Sequence, residues 1–147
     1  MKTIEHHQYM SPKQAKLYAL VPAFWASLVD IAVTIIHQSP EYWSGNLAKA
    51  NEGNPIGNIM MKSHVSGIFV ISGIWLVLIG LVGYKLPQKW SRVFLLFVVI
   101  AHSYGACTWI SGRYGFWWAM ALIATNTILY VAMDEFRKPK AELQPLH

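Results

Sequence analysis

The sequence predicts an all-α integral membrane protein, a four-helix bundle with both termini cytoplasmic, and three observations predict it. Hydrophobic residues fill 54% of the 147 positions and charged residues only 13%, against the roughly one quarter charged that keeps a soluble surface in water. Four runs of about 18 or more residues carry almost no charge. Lysine and arginine fall unevenly in the segments between those runs. The same composition, with a mean hydropathy of +0.33, excludes intrinsic disorder and a nucleic-acid-binding domain built on the basic pI of 9.4. A disulfide framework is excluded too, because Cys107 is the only cysteine.

The four spans are predicted at 17–37, 65–84, 93–110 and 115–133, and together they make a single transmembrane domain in contact with the lipid bilayer. Each is long enough to cross an apolar core of about 30 Å at about 1.5 Å per residue. Pro22 removes a backbone hydrogen bond and is expected to bend the first helix near its start. Residues 1–16 do not resemble a cleavable signal, since the polar stretch is long and no small-residue cleavage site follows.

Positive residues stay on the cytoplasmic side. Lys2, Lys13, Lys16, Lys85, Lys89, Arg92, Arg137, Lys138 and Lys140 lie on one side of the four spans, and Lys49, Lys62 and Arg113 on the other. The amino and carboxy termini are therefore expected inside, in a bacterial inner membrane. Tyr18, Tyr84, Trp90 and Tyr130 are expected at the inner boundary, and Tyr42, Trp43, Trp109, Trp117 and Trp118 at the outer one. His6 and His7 read as solvated residues of the amino-terminal tail.

Short connections at 85–92 and 111–114 make helices two, three and four antiparallel neighbours. The loop 38–64 is too long for a bare connector and is expected to be structured. Asn54 followed by Pro55 reads as an N-cap and a first helical residue, so the second helix is expected to begin near Pro55 and run on into the membrane. Ser66, Gly73 and Gly80 recur every seven residues along it. Such a stripe lets two backbones approach, either within the chain or against another subunit, including a second copy.

Ionisable groups at membrane depth are costly, so each is a candidate for function. Asp30 in the first helix and His102 in the third differ in expected depth by roughly 6 Å and are expected to meet. Thr34 and His37 share the face of Asp30, Trp109 and Arg113 share that of His102, and the fourth helix brings Thr125, Asn126 and Thr127 to mid-membrane. In one account these side chains are hydrogen-bonding glue, with Thr34 and Asn126 as further partners of the Asp30–His102 pair. In another, Asp30, Glu52, His64 and His102 hold a metal ion, with His37 a further candidate; carboxylate and imidazole together suit Zn, Fe or Cu. A bis-histidine haem is less suited, since His37 stands roughly 15 Å above His102 by helical rise. His102 alone remains a ligand candidate for a haem or chlorophyll of a larger assembly. Cys107 reads as a small packing residue.

Asp30-Ile-Ala-Val-Thr34, followed after a polar loop by Asn51-Glu52-Gly53-Asn54-Pro55, resembles a pattern of small uncharacterised bacterial membrane proteins. Those carry Asp-x3-Thr in the first helix and Glu-x-Asn-Pro before the second. The resemblance covers about the first 40% of the chain. It implies that Asp30, Glu52 and Asn54 act together at the outer face, and it brings no activity. The residues themselves also give Glu52 a plainer role, a carboxylate stabilised by the dipole of the helix that follows.

Three classes of function remain open on these readings. One is a membrane protein with an outward-facing Asp/Glu/His site that binds a metal or performs catalysis. The second is an accessory subunit packed against a larger respiratory, photosynthetic or oxidase complex. The third is a proton path or transporter through Asp30 and His102, for which inverted repeats are missing from the sequence. No nucleophile elbow or Ser/His/Asp pattern points to hydrolysis.

Overall fold

The computed structural model describes residues 10–137. Its elements are α1 (Pro12–Ile36), α2 (Pro40–Trp43), a 3-10 turn (Leu47–Lys49), α3 (Pro55–Ser63), α4 (Gly67–Lys85), α5 (Gln88–Tyr114) and α6 (Phe116–Arg137). Among the described residues, α1, α4, α5 and α6 are long and apolar enough to cross a membrane. Lys2, Lys138, Lys140, His6 and His7 lie outside the described residues.

α1 starts at a capping box, in which the Ser11 hydroxyl accepts from the Gln14 backbone N–H and the Gln14 side chain accepts from that of Ser11. The helix continues through Pro22, which is buried. α5 ends at Gly115, whose φ of +94° is a conformation that glycine adopts without a Cβ penalty. That single residue turns the chain into α6, so α5 and α6 are antiparallel neighbours.

α1 and α5 form the central pair, each packed against both α4 and α6. Their register is set by small residues. A Cβ on Gly83 would lie 2.7 Å from Leu20 and 2.8 Å from Leu95, so α4 presses its backbone onto the seam between α1 and α5. Leu20, Ala23, Ala26, Ile79, Leu95, Val98 and Val99 fill that seam as one buried cluster. At the same end, the Lys16 ammonium donates to the Tyr84 carbonyl, the Ser91 hydroxyl donates to the Gly83 carbonyl, and Arg92 pairs with Asp134. The start of α1, the end of α4, the start of α5 and the end of α6 therefore share one face of the bundle.

The opposite face carries the segment between α1 and α4, which holds α2, the 3-10 turn and α3. Ser39 caps α2 through the Tyr42 N–H. Tyr42 is fully buried with Met61 and Ile68, and its hydroxyl donates to the Val65 carbonyl. It is a core residue of the loop rather than a member of an aromatic belt. Gln38 bonds Asn51 twice, side-chain amide to carbonyl and backbone N–H to side-chain oxygen, which closes the loop base.

The helix predicted to run from Pro55 into the membrane is instead two helices. Asn54 does cap at Pro55, its side-chain oxygen accepting from Ile56 and Gly57, but α3 stops at Ser63 and His64 is extended. The chain then folds back so closely that a Cβ on Gly67 would sit 2.0 Å from the Met60 carbonyl oxygen. Only glycine permits that corner.

The stripe of small residues divides accordingly. Ser66 is the exposed residue before α4, Gly80 packs on the Phe24 ring, and Gly73 has nothing within 4 Å of where a Cβ would stand. Close helix approach occurs at Gly67, Gly83 and Gly105 instead.

Candidate functional site

His102 stands in the third of the four long helices with its ring held from both sides. Nδ1 lies 2.7 Å from Asp30 Oδ2, joining α5 to α1. Nε2 accepts the indole N–H of Trp75, joining α5 to α4. The hydrogen-bonding chemistry fixes the tautomer. An indole N–H only donates, so Nε2 carries the lone pair, and the ring proton sits on Nδ1 and is donated to Asp30. His102 is therefore a neutral imidazole with both nitrogens engaged. Both members of the pair are mostly buried, with side-chain exposures of 14% for His102 and 19% for Asp30.

The backbone makes room for this pair. A Cβ on Gly105 would come within 2.8 Å of both Asp30 carboxyl oxygens, so the carboxyl rests directly on the α5 backbone one turn beyond His102. A glycine three positions after a partly buried histidine thus serves a carboxyl on another helix.

Glu52 approaches from the loop. Its Oε1 accepts the Asn54 backbone N–H at 2.7 Å, and its backbone carbonyl accepts from the Asn58 side chain. Its side chain lies on Gly57, where a Cβ would meet Glu52 Cγ at 2.9 Å. Burial raises the Glu52 carboxyl above the ordinary range, the Asn54 bond lowers it, and the nearby Asp30 and His102 act on it in opposite directions. Glu52 therefore holds the N–H of the residue that caps α3 and also lies within electrostatic reach of the Asp30–His102 pair.

Other candidates are placed elsewhere. His64 is exposed, and its Nδ1 accepts the Ser66 N–H at 3.0 Å with the Ser66 hydroxyl 2.7 Å away. His37 closes a separate cluster where α1 and α5 end: Nδ1 donates to the Val33 carbonyl and Nε2 faces the Tyr114 hydroxyl. There the His37 ring stacks on Trp109, and the Arg113 guanidinium lies 5.0 Å from the centre of the Trp109 ring.

Thr34 is buried on the Asp30 face of α1. Asn126, expected as a partner of Asp30, instead donates to the Ser103 hydroxyl, on the α6 side of α5. Thr125 and Thr127 return their hydroxyls to α6 carbonyls. Cys107 points its thiol at the Ala119 carbonyl, between α5 and α6.

Among the described residues, no three His, Cys, Asp or Glu side chains form a group able to hold a metal ion. The chemistry of the donors agrees with that arrangement, because the two nitrogens of His102 already serve Asp30 and Trp75. Sequence reasoning missed Trp75. The signal for it was position: a tryptophan in mid-span, away from the boundary where its N–H would find water, needs an acceptor inside the bundle. The sequence matches no family model, and neither a curated protein nor a solved structure is similar to it.

Proposed function

We propose that this chain is a small polytopic protein of a bacterial inner membrane, with both termini cytoplasmic and an outward-facing acid–base centre built on Asp30, His102 and Glu52. His102 accepts a proton in the outer half of the membrane, and Asp30 compensates the imidazolium charge. The observation that carries this reading is the His102 ring suspended between one carboxyl and one indole. Its next proton has a defined place, Nε2, while the carboxyl that stabilises the resulting charge holds Nδ1. A lone ionisable group in lipid is expensive, and pairing Asp30 with His102 lowers that cost in both protonation states.

Orientation rests on the nine-to-three division of Lys and Arg across the spans. In that orientation the loop that carries Glu52 is outside, and the centre lies beneath it. The resemblance through Asp30, Glu52 and Asn54 groups two of the same side chains. A metal ion on Nε2, like a proton there, would require Trp75 to release that nitrogen.

A second reading, an accessory subunit of a larger membrane complex, is favoured by α6 and by Gly73. Ala119 and Asn126 are the only buried residues of α6, Trp117 and Trp118 are exposed, and Gly73 faces open space.

Proton uptake tests the main reading. Purified protein in lipid nanodiscs is titrated from about pH 9 to pH 4 beside the His102→Gln variant, whose amide replaces both hydrogen bonds without titrating. The wild type is expected to take up one more proton per chain. Equal uptake, or a stoichiometric metal ion that is lost in the variant, contradicts the reading.

A further inference from the structure

The Trp75 indole is a donor and nothing else, and its bond to His102 has a consequence for the bundle. While Nε2 holds a lone pair, the indole N–H ties α4 to the α1–α5 pair through His102. A proton that arrives from water at Nε2 occupies that lone pair. Two N–H groups then face each other with no acceptor between them, while Nδ1–H keeps its bond to Asp30.

We propose that Trp75 is a positioning residue and a latch: it fixes the His102 tautomer and holds α4 on the α1–α5 pair only while His102 is neutral, so that proton uptake at Nε2 releases the indole. The inference rests on His102 being the proton acceptor and adds what the protonation does.

The groups around the latch are few. Asp30 faces His102 from α1, and Glu52 acts on it from the loop. α4 brings the indole, whose ring centre is 6.1 Å from that of His102. On α5 itself, Cys107 interacts with Asp30. From α6 the buried polar side chain is Asn126, held by Ser103. Asp30 keeps one ring nitrogen through both protonation states, so the pair with α1 persists while the contact with α4 is exchanged.

The test follows two signals of the full chain in nanodiscs by nuclear magnetic resonance. The His102 ring nitrogens report its protonation, and the Trp75 indole N–H, identified by its loss in Trp75→Phe, reports the hydrogen bond. On acidification the indole signal is expected to move to its unbonded position with the same midpoint as His102. In His102→Gln it stays bonded at every pH. Trp75→Phe removes a bond made only to the neutral ring, so the His102 midpoint is expected to rise by about half to one pH unit.

An indole that stays bonded while His102 becomes cationic overturns the latch and leaves the proton-accepting centre standing. A His102 that stays neutral over the whole range overturns both. An unchanged midpoint in Trp75→Phe shows that the indole is packing alone, which also overturns the proposal.

Discussion

Gly105 presents its backbone to Asp30 so closely that a side chain there would come within 2.8 Å of both carboxyl oxygens. The dyad of Asp30 and His102 therefore depends on a third residue that has no side chain at all.

Gly105→Ala is expected to displace the Asp30 carboxyl, lengthen its bond to His102 and cost about 1–3 kcal/mol through overpacking of a close-fitting site. Gly73→Ala is the control, since nothing lies within 4 Å of its Cβ. Thermal unfolding in one detergent compares them; equal melting temperatures would show that the carboxyl is not seated on α5.

Ser27 is fully buried and its hydroxyl has no hydrogen-bond partner among the described residues. The Ser103 hydroxyl, by contrast, donates to the Val99 carbonyl one turn back. Ser27→Ala removes an unsatisfied polar atom and adds none, so it is expected to stabilise the protein by about 1–2 kcal/mol. A lower melting temperature in the variant would place a hydrogen-bonding role on this hydroxyl.

Glu52 has a pH dependence whose sign follows from its burial. Its carboxyl is raised above the ordinary 4.5, first by desolvation, so the folded state binds the proton more tightly than the unfolded chain. Its contribution is complete below about pH 4.5 and is lost as the pH rises through the raised folded value. Glu52→Gln keeps an acceptor for the Asn54 N–H and removes the ionisation. The variant is expected to match or exceed the wild type in stability at about pH 7.5, with the difference closing under acid. A variant destabilised at pH 7.5 would show that the charge of Glu52 holds something in place.

Orientation is checked by labelling in intact cells with an impermeant thiol reagent, in a Cys107→Ala background. Glu41→Cys, on the loop face, is expected to react from outside. Gln88→Cys, on the face shared by Lys16 and Arg92, is expected to react only after permeabilisation. The reverse pattern inverts the topology.

How much of this was legible in the sequence follows from what each signal measures. Hydropathy and length located α1, α4, α5 and α6 because an apolar run has one way to satisfy its backbone in lipid. The meeting of Asp30 with His102 was legible from depth and from the cost of leaving either alone. Asn54 and Pro55 announced the start of α3. Its end was missed: Lys62-Ser63-His64 and Ser66-Gly67 interrupt the apolar run, but the fold-back at His64 depends on the contact of Gly67 with the Met60 carbonyl, which only the packing shows. Rotation of each helix was equally hidden. A span that is apolar all round has no polar face to show which side turns inward, so Trp75, the Asn126–Ser103 bond and the separate fates of Ser66, Gly73 and Gly80 emerge only with the packing.

The central claim is that His102 is a neutral imidazole with its proton on Nδ1, given to Asp30, and its lone pair on Nε2, given to Trp75. Nitrogen resonance of selectively labelled histidine, assigned by His102→Gln, measures this directly at neutral pH. The account predicts a protonated Nδ1 and an unprotonated Nε2, with the Nε2 signal altered in Trp75→Phe. A proton on Nε2, or an Nε2 signal indifferent to loss of the indole, would contradict it.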